Sequence, residues 1–266
     1  QPLILFKVFI LKRLHILFFI LLYIASLTAT AETVRLTNGE WSPYLSKDLK
    51  HFGVTSHIIE EAFKNVGVDV EYGFFPWKRS FAYAAIGKSW EGTVVWSRTP
   101  ERERFFLFSE PVLKAKEVFF HRKDMAFDWD NYGQLGQYQI GGVIGYSYGD
   151  DMDNAEKAGK LKVHRVVKTL NNFKKLLTGR IDLVVANIDV GYELLYKNFP
   201  PAQAALITNH PKSSKTGFYH LLISKKSPNA QATIHEFNKG LAELKASGKY
   251  AQMMSNSLEG YYKKTN

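Results

Sequence analysis

Short apolar runs alternate with amphipathic segments along most of this chain. The runs are typical of strands, whereas the segments between them repeat apolar residues at the spacing of a helix. Regular alternation of the two predicts an α/β protein. We expect strands at 34–37, 68–75, 90–96, 139–144, 162–167, 181–186 and 217–224, and helices at 56–66, 77–87, 190–198, from an N-cap at Thr169 to Gly179, and from Pro228 onward.

These elements separate into two β-α-β sets. Strand-like crossings at about 116–122 and 216–224 join the sets, and the last helix is expected to pack on the first set. The pattern predicts two lobes around a hinge, with a cleft between them that closes on a ligand. The expected boundaries are 32–119 with 217–266 for the first lobe and 120–216 for the second.

A polar turn follows the apolar strand that ends at Trp96. The turn begins with Ser97 and Thr99 and continues through a run of charge that includes Arg102. Small ligands bind at the carboxyl ends of strands in open α/β sheets, and an arginine fork suits a carboxylate. The segment therefore predicts capture of a small anionic or zwitterionic solute. A solvated surface is the alternative, because charged residues surround Arg102.

The first 31 residues differ from the rest of the chain. Lys7 and Arg13 precede an uncharged apolar run, and Ala29 and Ala31 supply small residues at its exit. This order is typical of a cleavable signal peptide, which predicts export to the periplasm. An uncleaved membrane anchor is the alternative, but the apolar core is short against the roughly 20 residues of a spanning helix.

Composition narrows the classes of function. The chain has no cysteine, which excludes a lipoprotein, thiolate metal sites and cysteine nucleophiles. Its eight histidines are scattered, so neither a metal nor another cofactor is expected. The formal net charge is +10, but acidic residues are interleaved throughout. We therefore expect a solvated basic surface rather than nucleic-acid binding.

Several short motifs in a fixed order carry a family resemblance. They are SRTPER at 97–102 with FSEP at 108–111, WSPY at 41–44, GYSY at 145–148 and GRID at 179–182. Together they resemble the family 3 solute-binding proteins of ABC importers, which are periplasmic receptors for polar amino acids and related solutes. The resemblance covers nearly all of 32–260 and implies a two-lobed periplasmic-binding-protein type II fold without a cofactor or catalytic activity.

The resemblance also implies roles for single residues. Arg102 matches the arginine that clamps the ligand α-carboxylate, with Ser97 and Thr99 beside it. An aromatic turn after the first strand matches the loop that packs on the ligand body, and a turn in the second lobe completes the carboxylate site. The candidates in those turns, and in the aromatic turn before the second helix, are Trp41, Tyr44, Tyr146, Ser147 and Trp77. For Trp41, Tyr44 and Trp77, packing in the core is the alternative.

One position departs from the family pattern. Amino-acid receptors usually place an aspartate for the ligand ammonium where this chain has Asn187, with Asp189 two residues later. Three alternatives remain open. Asn187 is a neutral and weaker partner for the ammonium, the ligand lacks a free amine, or the loop shifts so that Asp189 binds the ammonium. Asp182, inside an apolar strand, is expected to be structural.

The resemblance implies a monomeric receptor for an amino acid or another small carboxylate, with an inner-membrane ABC permease as its partner. One alternative is a sensor module that presents the ligand to a membrane signalling protein. Another is a periplasmic dehydratase-like enzyme, which would need a general acid and base in the cleft. No paired carboxylates are evident there in the sequence.

Overall fold

Eight strands form one mixed sheet through residues 32–264, the part of the chain that this computed structural model describes. Their order across the sheet is β2-β1-β3-β8-β4-β7-β5-β6. The predicted signal peptide at 1–31 lies outside the described residues. The strands are β1 Glu32–Asn38, β2 Val68–Phe74, β3 Gly92–Ser97, β4 Phe106–Arg122, β5 Gln139–Val143, β6 Lys162–Val166, β7 Leu183–Asn187 and β8 Ile207–Ser224.

Nine α-helical segments connect or cover these strands in the described part of the chain. They are α1 Val54–Lys64, α2 Trp77–Ile86, α3 Pro100–Glu103, α4 Asp150–Lys157, α5 Thr169–Leu177, α6 Ile188–Asn198, α7 Pro201–Ala204, α8 Ala230–Ala246 and α9 Lys249–Leu258. Short 3₁₀ turns lie at Lys50–Phe52 and Tyr132–Gln137. None of the helices in residues 32–264 is long and apolar enough to cross a membrane.

Two long antiparallel strands, β4 and β8, run through the centre of the sheet. Their pairing extends from Phe106 opposite Ser224 to Arg122 opposite Ile207. On one side, β8 continues to β3 and then to the parallel strand β1. On the other side, β4 continues to β7, and the parallel strands β5 and β6 follow. The sequence predicted only part of each long strand, yet both predicted crossings lie within them.

Separate hydrophobic clusters stabilise the two ends of the sheet. One cluster joins β1, α1 and α8 through side chains such as Leu36, Ile59 and Phe237. Two further clusters surround β7 and β5, with Phe120 in one and Phe119 in the other. The last long helix therefore packs on the first set of elements, as the sequence predicted, in contact with α1.

The end of β3 positions the polar turn. All six residues of β3 are buried, and Val95 has a φ of 61°. This left-handed conformation is costly for a β-branched residue and coincides with a register shift between Thr93 and Trp96 against β8. The irregularity lies directly before Trp96 and Ser97, the last two residues of the strand.

Two predicted helix starts need correction. Thr169 is the first residue of α5, and the extended residue Lys168 occupies the N-cap without a side-chain hydrogen bond. The last long helix begins at Ala230 rather than Pro228, because Asn229 before it has a left-handed conformation. Gly179, with a φ of 66°, follows α5 as expected, since glycine tolerates this conformation at a helix end.

Candidate functional site

A small cavity lies where the polar turn after β3 meets the turn after β5. Its volume is about 30 Å³, which is space for roughly two water molecules. A solute of amino-acid size would therefore enter only if the surrounding elements moved apart. The lining residues are Trp41, Trp77, Val95, Trp96, Ser97, Arg102, Tyr146, Ser147 and Tyr219.

Arg102 is the charged group of this cavity. It lies in α3 and is only 8% exposed. Its Nη1 donates to the backbone oxygen and to Oγ of Ser97, both at 2.7 Å, and its Nη2 donates to the backbone oxygen of Gly145 at 3.0 Å. Burial lowers the pKa of Arg102 to about 10, so the guanidinium remains charged at neutral pH. One cation thus connects the β3 turn to the β5 turn.

Local structure holds Arg102 in this orientation. Thr99 is the N-cap of α3, and its Oγ1 accepts a hydrogen bond from the backbone N of Arg102 at 3.3 Å. The guanidinium carbon lies 4.8 Å from the centre of the Trp96 ring, within the range of a cation–π contact. Thr99 therefore lies outside the cavity lining and acts on the site through the helix.

The neighbouring arginines have different surroundings. Arg98 is exposed, pairs with Glu103 at 3.3 Å and lies over the ring of Phe108. Arg104 is also exposed. Of the three arginines in this charge run, only Arg102 lines the cavity.

The aromatic turn after β1 contacts the central strand β8 and the start of α6. The ring of Trp41 is 5.1 Å from the rings of Tyr44 and of Tyr219. The Tyr44 hydroxyl donates to Oδ2 of Asp189 at 2.5 Å. Burial, followed by the hydrogen bond to Asp189, raises the pKa of Tyr44, so the phenol stays protonated. Trp41 reaches the cavity, whereas Tyr44 lies behind it and contacts α6.

Asn187 and Asp189 have distinct roles at the start of α6. Asn187 is the N-cap, and its Oδ1 accepts from the backbone N of Asp189 at 3.0 Å and of Val190 at 3.1 Å. Its Nδ2 donates to the backbone oxygen of Lys116 at 3.4 Å. The Asn187 amide is therefore engaged in the cap. Asp189 is exposed and accepts the Tyr44 hydroxyl; neither side chain lines the cavity.

The turn after β5 supplies the opposite wall. The Ser147 hydroxyl donates to Oδ2 of Asp153 at 2.5 Å, and its oxygen accepts from the backbone N of Gly149 at 3.4 Å. The ring of Tyr146 meets the ring of Trp77 edge-on at 6.2 Å. Burial raises the pKa of Tyr146, so this phenol remains neutral. Trp77 and Tyr146 thus touch across the cavity.

The sequence did not predict two polar residues near the cavity. Tyr219, in β8, lines the cavity, and its hydroxyl donates to Oε1 of Glu117 at 2.7 Å. Glu117, in β4, is 5% exposed, and burial raises its pKa to about 7. The sequence signal is weak, because Glu117 follows Lys114-Ala115-Lys116, which has the alternation of a half-solvated strand. Only the strand register brings it close to the site.

Asp182 has a structural role in the described part of the chain. Oδ2 of Asp182 accepts the backbone N of Gln139 at 2.7 Å and ties β7 to β5, as expected of a structural aspartate. Within residues 32–264, no group of three or more histidine, aspartate or glutamate side chains is arranged to hold a metal ion.

One protein family and several solved structures match this chain. The model of the family described as bacterial extracellular solute-binding proteins, family 3, matches residues 36–258. A search of curated proteins gives no match. A mutant of ArgBP from T. maritima has a TM-score of 0.70 at 21% identity, covering 85% of this chain and 95% of that one.

Two further structures extend this similarity. A histidine kinase sensor domain described as similar to periplasmic binding proteins has a TM-score of 0.72 at 16% identity, covering 86% of this chain and 97% of that one. The substrate-binding protein of an amino acid ABC transporter has a TM-score of 0.69 at 16% identity, covering 85% and 99%. These similarities show the fold and confirm the prediction of a two-lobed, periplasmic-binding-protein type II architecture.

Proposed function

The chain belongs to the bacterial extracellular solute-binding proteins, family 3, and from this premise we propose that it captures a small carboxylate-bearing solute for ABC-type import. An amino acid or a close relative is the favoured ligand. The observation that carries the proposal is the buried, charged guanidinium of Arg102 at a cavity walled by aromatic rings and two serines. Such a site offers charge-assisted hydrogen bonds inside a largely dry cleft.

Ligand capture would use the contacts that Arg102 now makes within the protein. A ligand carboxylate would replace the backbone oxygen of Ser97 or Gly145 as acceptor, with the planar fork donating two parallel hydrogen bonds. Oγ of Ser97 would keep the guanidinium in orientation. Trp41 and Trp77 would cover the apolar body of the solute.

The motion we propose is an opening of two lobes about β4 and β8. The proposed lobes are 32–119 with 217–266, and 120–216, because in the described part of the chain these two long strands run continuously between the clusters at the ends of the sheet. Opening would separate Tyr44 from Asp189 and Arg102 from Gly145. A hinge of this kind lets the cleft enclose a solute.

The remaining parts of the proposal concern location and partners. We infer a monomer that is exported by a cleavable signal peptide, acts in the periplasm and delivers the solute to an inner-membrane permease. The family and the similar structures are binding proteins, which supports a receptor without catalytic activity. Incubating a bound solute with the protein and finding a chemically changed product would contradict the non-catalytic role.

A sensor role is the second candidate function. The observation that favours it is the similarity to a histidine kinase sensor domain, at a TM-score of 0.72. In this role, the same cleft would present its solute to a membrane signalling protein. Neighbouring genes for a permease and an ATPase would favour import, whereas a neighbouring kinase or cyclase gene would favour sensing.

A ligand screen by thermal melting tests the proposed function. A solute that binds only the folded protein must raise the melting temperature. We expect at least one amino acid or organic acid to raise it, and the methyl ester of the same solute to have a much smaller effect, because the ester removes the carboxylate. No increase with any carboxylate, or an equal increase with acid and ester, would refute the proposal.

A further inference from the structure

We propose that Glu117 determines specificity in this cleft by accepting a protonated amine or another cationic group of the solute. The inference rests on the proposed solute-binding function and names the second pole of the ligand. Arg102 would hold the carboxylate and Glu117 the positive charge. The substrate class is thereby narrowed to solutes that carry both an acidic and a cationic group.

The strand register places Glu117 on the side of the sheet that faces the cleft. In β4, its Cα partners are Asn187 of β7 and Lys215 of β8. Residues directly opposite on neighbouring strands project to the same face of a sheet. Asn187 is the last residue of β7, which runs parallel to β5, so this position lies at the carboxyl end of parallel strands. Ligands bind at that end in α/β sheets.

Glu117 lies one side chain behind the present cavity. Tyr219 lines the cavity together with Arg102, and the Tyr219 hydroxyl contacts Glu117 on its other side. The cavity of about 30 Å³ must widen to admit a solute, and Tyr219 is the lining residue that contacts Glu117. Widening on this side would bring an amine to the carboxylate while the carboxylate of the solute remained at Arg102.

The charge of Glu117 is not matched by a cation within the described residues. Its carboxylate accepts one hydrogen bond there, at Oε1, and it takes part in none of the ion pairs of residues 32–264. Lys215 lowers the pKa of Glu117 from a distance, but its Nζ lies 3.5 Å from the backbone oxygen of Ser147. A buried carboxylate without an ion-pair partner is costly. A cationic ligand group would remove that cost.

The two residues that the sequence offered as partners for the ligand ammonium are less suitable acceptors. The Asn187 amide is engaged in the cap of α6, and Asp189 is exposed and already accepts the Tyr44 hydroxyl. Glu117 is buried and has an oxygen without a hydrogen bond in the described residues. The titratable groups that act on Glu117, or on which it acts, are Tyr44, Tyr146, Tyr148, Lys215 and Tyr219.

Matched pairs of solutes and variants test this assignment. The probes are L-alanine, L-glutamate, L-arginine and L-phenylalanine, each titrated against the acid of the same carbon chain without a cationic group: propionate, glutarate, pentanoate and 3-phenylpropionate. Glu117→Gln keeps an acceptor for the Tyr219 hydroxyl and removes the charge. Glu110→Gln, at an exposed position of the same strand, is the control.

We expect Glu117→Gln to weaken binding of the amine-bearing solute by about tenfold or more, since a buried charge-assisted hydrogen bond is lost. Binding of the acid without the amine should change little, and Glu110→Gln should bind both as the wild type does. Equal losses for both solutes, or no loss for either, would overturn the assignment. A wild-type protein that binds neither class would instead refute the proposed function, and the role of Glu117 with it.

The pH dependence of binding gives a second readout that does not depend on the size of that loss. Burial raises the pKa of Glu117 to about 7, so the carboxyl is partly protonated at neutral pH. Wild-type affinity for the amine-bearing solute should rise between about pH 6 and about pH 8, with protons released on binding. Glu117→Gln should show a flat profile, and parallel profiles for the two proteins would contradict the assignment.

Discussion

Replacing Arg102 by Ala is expected to weaken binding of a carboxylate solute about 30- to 150-fold. Arg102 is 8% exposed, and its guanidinium has three short contacts with oxygen acceptors, at 2.7, 2.7 and 3.0 Å. A hydrogen-bonded pair of buried charges of this kind contributes about 2–3 kcal/mol, which corresponds to that range of affinity.

Arg102→Lys should give an intermediate loss. Lysine keeps the positive charge, but its single nitrogen cannot donate two parallel hydrogen bonds to one carboxylate. It would also lose the planar contact with the Trp96 ring, which lies 4.8 Å from the guanidinium carbon. The expected order of affinity is therefore wild type, then Arg102→Lys, then Arg102→Ala.

Isothermal titration of the solute that most stabilises the wild type measures these differences. Arg104→Ala is the matched control, because Arg104 lies in the same charge run but is exposed. Thermal melting of each variant without solute establishes that the fold persists. Arg102→Ala with wild-type affinity, or Arg104→Ala with the larger loss, would refute the assignment of the carboxylate clamp.

Three further predictions concern stability. Gly240→Ala should lower the melting temperature markedly, at a cost of about 1–3 kcal/mol, because an added Cβ would lie 1.9 Å from the backbone oxygen of Ala62; an unchanged melting temperature would contradict this packing of α8 on α1. Asn187→Ala should destabilise the protein by about 1 kcal/mol through loss of the α6 cap, whereas Asn187→Ser, which keeps a side-chain oxygen for the cap, should lose less; equal chemical denaturation of the two variants would contradict the cap. Glu117, with a pKa raised from 4.5 to about 7, favours the folded state when protonated, so its contribution is complete below about pH 4.5 and is lost as the pH rises through about 7. The melting temperature of Glu117→Gln should therefore equal that of the wild type near pH 4 and exceed it near pH 8. Melting temperatures of the two proteins that change in parallel with pH would refute the raised pKa of Glu117.

Hydrophobic periodicity was sufficient to predict most of the strands and the longer helices around the sheet. The run that ends at Trp96 is fully buried in β3, and the spacing in 56–66 marks α1, which ends at Lys64. The long strands were harder to predict. Positions such as Lys114 and Lys116 in β4 are exposed, so their strand identity depends on pairing with β8 rather than on an apolar pattern.

Residues at the candidate site were predictable where a sequence motif includes them, and unpredictable where only the strand register brings them together. Ser97 and Arg102 belong to one turn, and the motif placed both next to the cavity that the structure shows. Glu117 and Tyr219 come from strands that are distant in sequence, and only their pairing brings them together. Asn187 illustrates a third case, since a polar residue after a buried strand predicts a helix cap as well as a ligand contact.

A crystal structure with the solute that raises the melting temperature most would locate the solute carboxylate directly. We expect the solute between the two lobes, with its carboxylate about 3 Å from the guanidinium nitrogens of Arg102 and with Trp41 and Trp77 against its body. Arg102 that still donates to the backbone oxygens of Ser97 and Gly145, with the solute carboxylate held elsewhere, would contradict this expectation.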